Sequence, residues 1–284
     1  ATLTNVQISD QNAAQDTYML WIRAGSDVTL NNVTIDGKSA VGKANRAIAI
    51  KDEYIDNPTE TTLTVNGLTA TSDKYAAIYV TSKSATTINL NGVIDVTGTK
   101  VNDRVVQKDS SSTGEITVSD NSTKVVKAAT QEELKNAITA VEVGKSAKVE
   151  LGEGTYTLYN VAAGKTKNTS LVIEGAGKDS TVFTAGDLTI TNASGEGSSD
   201  YSYENSEVVF KDMTINVGTG DYKGFVRAKS LYFENCKIVG RGSYWGVGSV
   251  VFKNCEFADN AGDYNIWTYA GTDFTFDGCT FNSS

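Results

Sequence analysis

The 284-residue sequence predicts an all-β fold, a right-handed parallel β-helix (solenoid) with one short capping helix near residues 131-142. Three observations lead there. A hexapeptide of alternating apolar and polar residues recurs along the chain. The composition favours strands, being rich in Thr, Val, Asn, Gly and Tyr with Pro58 as the only proline. Helical periodicity is confined to one segment.

The hexapeptide reads LTNVQI from Leu3, LNNVTI from Leu30, VNGLTA from Val65 and LNGVID from Leu90. It returns as FKDMTI from Phe210, FENCKI from Phe233, FKNCEF from Phe252 and FDGCTF from Phe276. Spacings run from 19 to 27 residues, with one of 35 where the segment around Lys51 to Thr62 is inserted. Each copy is read as strand, bend and strand. An inward apolar residue and an outward polar one precede an Asn, Asp or Gly at the bend, since these types tolerate left-handed backbone. Alternation then resumes. Such repetition without intervening helices describes stacked coils, each burying its inner face against the next, with Asn and apolar residues aligned in ladders. Cys236, Cys255 and Cys279 fall in the slot after the bend that Val6, Val33, Leu68, Val93 and Met213 fill elsewhere. They are therefore expected to be small buried groups. A disulfide or zinc site is the competing reading, disfavoured by poor disulfide geometry between in-register parallel neighbours.

The helix comes next in the argument. Thr130-Gln131-Glu132-Glu133 has the form of a capping box, followed by Leu134, Ala137, Ile138 and Val141 at helical spacing. Beyond it stand KVELGEGTYTL and LVIEGAGKDSTVF. A short amphipathic helix followed by V-x-L-G-x-G-x-Y and I-x-G-x-G-x-x-x-T-V resembles the opening of right-handed parallel β-helix proteins of the pectin-lyase-like superfamily, here of a non-catalytic bacterial surface or adhesin type. The resemblance covers residues 125 to 284, and residues 1 to 118 through coil pattern alone. It implies that the helix plugs one end of a solenoid core.

One passage occurs twice. YMLWIRAGSDVTLNNVTIDG (residues 18 to 37) and YNIWTYAGTDFTFDGCTFNS (264 to 283) share Tyr, Trp, Ala-Gly, Asp and two Thr at equal offsets. ATLTNVQISD at the start corresponds to VVFKNCEFAD from Val250. The organisation this suggests is residues 1-120 as the C-terminal coils of one module and 121-284 as the cap and first coils of a second. The chain is then a tandem array sampled out of frame, in which residues after Ser284 continue like those from Gly37. Coil constraints shared within one solenoid are the alternative account. Trp21 with Trp267 and Asp27 with Asp273 go beyond them.

The catalytic signatures of the superfamily are absent. Hydrolases of the polygalacturonase type need Asp-Asp and Gly-His-Gly, and this chain has no histidine and no Asp-Asp pair. The pectate-lyase signature needs a proline three residues after an arginine, which Pro58 does not provide. Gly154-Thr155-Tyr156 begins the methylesterase motif, but Leu158 stands where Glu is required. Among Asp259, Asp263 and Asp273 nothing singles out a pair at the roughly 5–9.5 Å that glycoside hydrolysis uses. The acidic stretch Glu196 to Glu207 lacks the spacing of a calcium loop. No catalytic residue, metal or cofactor is assigned.

Strand alternation instead points to a binding column. Trp21 and Arg23, Phe225 and Arg227, Trp267 and Tyr269, with Tyr79, would share an outward face opposite Leu20, Ile22, Gly224, Val226 and Ile266. The competing reading turns the large rings into the core. A Thr-x-Thr ice-binding face is disfavoured because uneven coil lengths would spoil a flat lattice. The net charge of -9 argues against nucleic-acid binding, since phosphates reward clustered Lys and Arg, and no apolar run approaches a spanning helix. The expectation is a secreted or cell-surface repeat protein, an adhesin or stalk, with host or plant glycans or a surface protein as partner. It neither binds nucleic acid nor enters a membrane, and it makes end-to-end contact with neighbouring modules. A polysaccharide lyase or carbohydrate esterase of unfamiliar signature is the alternative.

Overall fold

The computed structural model describes residues 1–9, 18–38, 46–52, 55–141, 145–158, 170–185, 187–189, 207–218, 224–226, 229–245, 247–258 and 264–282. The chain is an all-β parallel β-solenoid with a single short helix among the described residues. It forms two compact units, Ala1–Val125 and Val126–Ser284, each with its own apolar core.

In the first unit the long strands Asp27–Gly37, Thr61–Ser72 and Thr86–Gly98 pair in parallel, the first two in register and the last with shifts after Asn66. Thr2–Thr4 and Gln7–Ser9 pair along one side, and Ile116–Asp120 along the other. A four-stranded parallel sheet of Tyr18–Arg23, Arg46–Lys51, Ile78–Thr81 and Val106–Lys108 forms a further wall. Leu30, Val65 and Leu90 are buried between these sheets, as are Ile22, Ile48, Ile50 and Ile78.

The bend follows the sequence reading closely. Asn5, Asn32, Asp212, Asn235 and Asn254 all have φ between 51° and 54°, and Gly67, Gly92 and Gly278 hold the same point of their coils at positive φ. A short side chain or none is what left-handed backbone accepts. Outside the bend the polar ladder is equally regular. Asn91 donates to the amide oxygen of Asn66 (3.1 Å), Asn66 to that of Asn31 (2.9 Å), and Asn31 to the Thr4 hydroxyl (3.1 Å). The 35-residue spacing is absorbed in the connection, because Asn31 still pairs with Asn66.

One slot is corrected. Val93 is 50% exposed, and Ile94, at 1%, occupies the core position after the bend. The register slips there, since Asn66 pairs with Asn91 but Leu68 pairs with Ile94. An extra residue turns the next side chain to the opposite face.

In the second unit the helix Gln131–Thr139 is closed by the Thr130–Glu133 capping box and buries Leu134, Ala137 and Ile138. Its last residue, Thr139, falls three short of 142, and Ala140 is the C-cap. Three parallel sheets follow. One holds Ser146–Leu151, Ser170–Glu174, Glu207–Lys211, Ser230–Glu234, Ser249–Lys253 and Asp273–Asp277. The core here is aromatic. Phe210, Phe233, Phe252 and Phe276 stack in sequence at 5.3, 4.8 and 5.4 Å. On the outward face Glu150, Glu174, Lys211, Glu234, Lys253 and Asp277 stand in one register row, whose charge alternates from Glu174 onward. Lys211 and Lys253 reach Glu234 at 2.8 and 3.1 Å.

The cysteines are free. Cys236 and Cys255 are buried, their thiols donating to Phe210 and Phe233 carbonyls at 3.5 Å. Cys279 donates in the same way to Phe252 at 3.4 Å but is only half-buried.

Candidate functional site

The site grows from the four-stranded sheet of the first unit. Ile22 is buried, and the alternation of the strand leaves Trp21 and Arg23 exposed on its other face. In-register pairing then decides what surrounds them. Tyr18 lies beside Arg46, Trp21 beside Ala49 and Arg23 beside Lys51. A small residue next to Trp21 leaves the indole 43% exposed, and its ring centroid is 6.4 Å from that of Tyr18.

Cations meet these rings directly. The Arg46 guanidinium lies 4.7 Å from the Tyr18 centroid and 5.3 Å from that of Tyr75, so two aromatic faces hold it. The Lys51 ammonium donates to the Tyr18 hydroxyl at 3.0 Å and lies 4.9 Å from that ring and 5.9 Å from Trp21. Lys74 lies 5.4 Å from Tyr75. Ring quadrupoles attract such charges within about 6 Å. A cationic, aromatic surface thus forms within a chain of net charge -9.

Tyr75 is locally strained. At φ 68° it is the one described left-handed residue that is neither Gly, Asn nor Asp, and a bulky side chain disfavours that conformation. Its ring stacks on Tyr79 at 3.9 Å and 9°. Burial pushes the Tyr75 hydroxyl up, but its hydrogen bonds to Tyr79 and Arg46 and the nearby Lys74 charge outweigh that and set it below its ordinary value. Tyr79 in turn donates to Asp109. Burial raises the Tyr79 hydroxyl, helped by the Asp109 carboxylate. Hydrogen bonds from Ser111 and Tyr79 hold Asp109 down to about 2.

The expected column is formed only in part. Trp21 and Arg23 point outward as proposed. Tyr79 lies in the register row of Trp21 through Ala49, yet it is only 7% exposed because Tyr75 covers it. It is a support for Tyr75, not an open platform. In the second unit Trp267 is 46% exposed and Tyr269 half-buried, with centroids 6.4 Å apart. Phe225 does not share the row of Trp267. Ser243 pairs with both Gly224 and Trp267, whereas Phe225 pairs with Tyr244, whose ring is buried among Phe233, Phe252 and Phe274. Arg227 lies outside the described residues. Sequence reading missed Tyr18, Arg46, Lys51, Lys74 and Tyr75. The Tyr of the repeated passage was the available signal, since it precedes the tryptophan in both copies.

Asp109 is tied to Tyr79 and Ser111. Tyr156 of the esterase-like stretch is a core residue whose hydroxyl bonds the Ala128 and Gly152 carbonyls at 3.2 Å. Asp273 is exposed, and Asp259, Asp263 and most of the acidic stretch from Glu196 lie outside the described residues. Among the described residues no three His, Cys, Asp or Glu side chains cluster to hold a metal. No described helix is long and apolar enough to cross a membrane.

No protein-family model, curated protein or solved structure matches this chain.

Proposed function

We propose that the protein is a secreted or cell-surface solenoid of the pectin-lyase-like kind that works without catalysis, as an adhesin or stalk. Its first unit binds saccharide through Trp21, Tyr18, Arg46 and Lys51. One observation carries the reading: an exposed indole beside a tyrosine whose face and hydroxyl already hold two cations. A pyranose has an apolar face that stacks on an aromatic ring, and its oxygens accept hydrogen bonds from guanidinium and ammonium groups. Two such units fit a tandem array that extends from a surface and contacts its neighbours end to end.

A glycan-array screen of the wild type, Trp21→Ala and Arg46→Gln, each with a thermal melt, tests the reading. Trp21→Ala should keep its melting temperature and lose signal on the glycans that the wild type retains. A stacked ring is worth about 0.5–1.5 kcal/mol beyond area burial, or roughly 2- to 10-fold. Wild-type protein that retains no glycan, or that cleaves a polysaccharide, would overturn the proposal.

A further inference from the structure

The aromatic–cation arrangement of the first unit recurs in the second, built by a different route. Tyr264 and Trp267 occupy the places of Tyr18 and Trp21 in the repeated passage. Their centroids are 5.1 Å apart, against 6.4 Å in the first unit, and the two indoles are nearly equally open, at 46% and 43%. The following turn is reproduced, with Gly271 at φ 87° and Gly25 at φ 84°.

The cation is the informative part. In the first unit Arg46, which comes after Tyr18 in the chain, lies over that ring. In the second Arg241, which comes before Tyr264, lies over the corresponding ring at 5.3 Å. Gly242, the residue after Arg241, donates to the Asn265 carbonyl at 2.8 Å and fixes the two coils against each other there. So a guanidinium lies over the corresponding tyrosine ring once from the following coil and once from the preceding one. Arg46 and Arg241 do not correspond in the repeat, so the two guanidiniums come from different positions of the coil. The buried side-chain nitrogen of Asn265, whose backbone carbonyl accepts from Gly242, has no acceptor among the described residues, and an unmet buried donor is costly.

We infer that the second unit carries its own saccharide site at Tyr264, Trp267 and Arg241, so that the chain is bivalent, with one site in each unit. This rests on the reading given above for the first unit. The ligand class is a polymer of pyranose units. Trp267 takes a sugar face, and the arginine fork takes two neighbouring oxygens of the same sugar. Those oxygens are either a hydroxyl pair or a carboxylate, since both present two acceptors to a planar donor.

Calorimetry and affinity electrophoresis on the whole chain test this, using polygalacturonate and arabinoxylan with a short oligomer of each. The carboxylate and hydroxyl sources are thereby separated. Wild type should bind two oligomers of one kind. Trp21→Ala and Trp267→Ala should each bind one, and the double variant none. Retention by the corresponding polymer should fall at least 10-fold in each single variant, because linked sites gain avidity of 10²–10⁴. Arg241→Gln provides a second probe of the new site, and thermal melts verify folding. One oligomer per wild-type chain, lost in Trp21→Ala and kept in Trp267→Ala, would overturn the second site and leave the first standing. Binding of neither oligomer nor polymer would overturn both.

Discussion

Replacing Phe252 by alanine should be among the most damaging single changes in the second unit. The ring is fully buried and stacks between Phe233 at 4.8 Å and Phe276 at 5.4 Å. It also meets Phe257 and Tyr244 edge-on at 5.0 and 5.8 Å. Truncation of a buried phenylalanine costs about 3–5 kcal/mol, more where the cavity cannot collapse. The rungs on either side are fixed by parallel backbone pairing, so the upper part of that range is expected. Phe252→Leu keeps most of the apolar volume and loses the ring contacts, for a cost of about 1–1.5 kcal/mol. Urea unfolding in a Trp21→Phe background, where Trp245 and Trp267 supply the fluorescence, measures both. The slope should be unchanged and the midpoint should shift. A loss below about 1 kcal/mol for Phe252→Ala would show that the phenylalanine row is not the spine of this core.

Three further outcomes are expected. Val93→Asp should shift the melting temperature little, whereas Ile94→Asp should prevent folding, because the slipped register exposes the first side chain and buries the second; the opposite order would restore the unslipped assignment. Native thiol labelling should leave Cys236 and Cys255 unreacted and modify Cys279 slowly, with burial raising the Cys236 thiol well above its usual value; rapid labelling of all three would contradict the packing. Hydrogen bonds from Lys211 and Lys253 hold the Glu234 carboxyl below its ordinary value of 4.5. A lowered carboxylate stabilises the fold above the unfolded value, and that contribution fades as pH falls through the folded one. Glu234→Gln should therefore flatten the acid limb of the stability profile, and an unchanged limb in a pH series of melts would refute it.

The coils were legible because their signals are local. A left-handed bend needs Asn, Asp or Gly whatever the rest of the chain does, and inward alternation repeats on either side of it. The capping box and its helix were legible for the same reason. Val93 was misplaced because the slip depends on how Leu68 meets Ile94 in the neighbouring strand, which no single hexapeptide contains. Trp21 and Arg23 could be oriented from their strand. Arg46 and Tyr75 could not be joined to them, since connections of unequal length hide which residues become neighbours. Tyr79 shows the limit of column reasoning: its row was right, but a residue four positions earlier folds over it.

The row Glu174, Lys211, Glu234, Lys253 and Asp277 bears on a hazard of stacked, similar coils, which is omission of one coil during assembly. Skipping a rung would set Glu174 against Glu234, or Lys211 against Lys253, and like charges directly opposite are unfavourable. From Glu174 to Asp277 the alternation therefore acts as a parity check, whereas the first rung carries none, since Glu150 faces Glu174 in the complete stack and Lys148 bridges the two. Thr4, Asn31, Asn66 and Asn91 carry no such check, since any of these asparagines can donate to any other. In the first unit correct counting of coils falls instead to the connections and the apolar core.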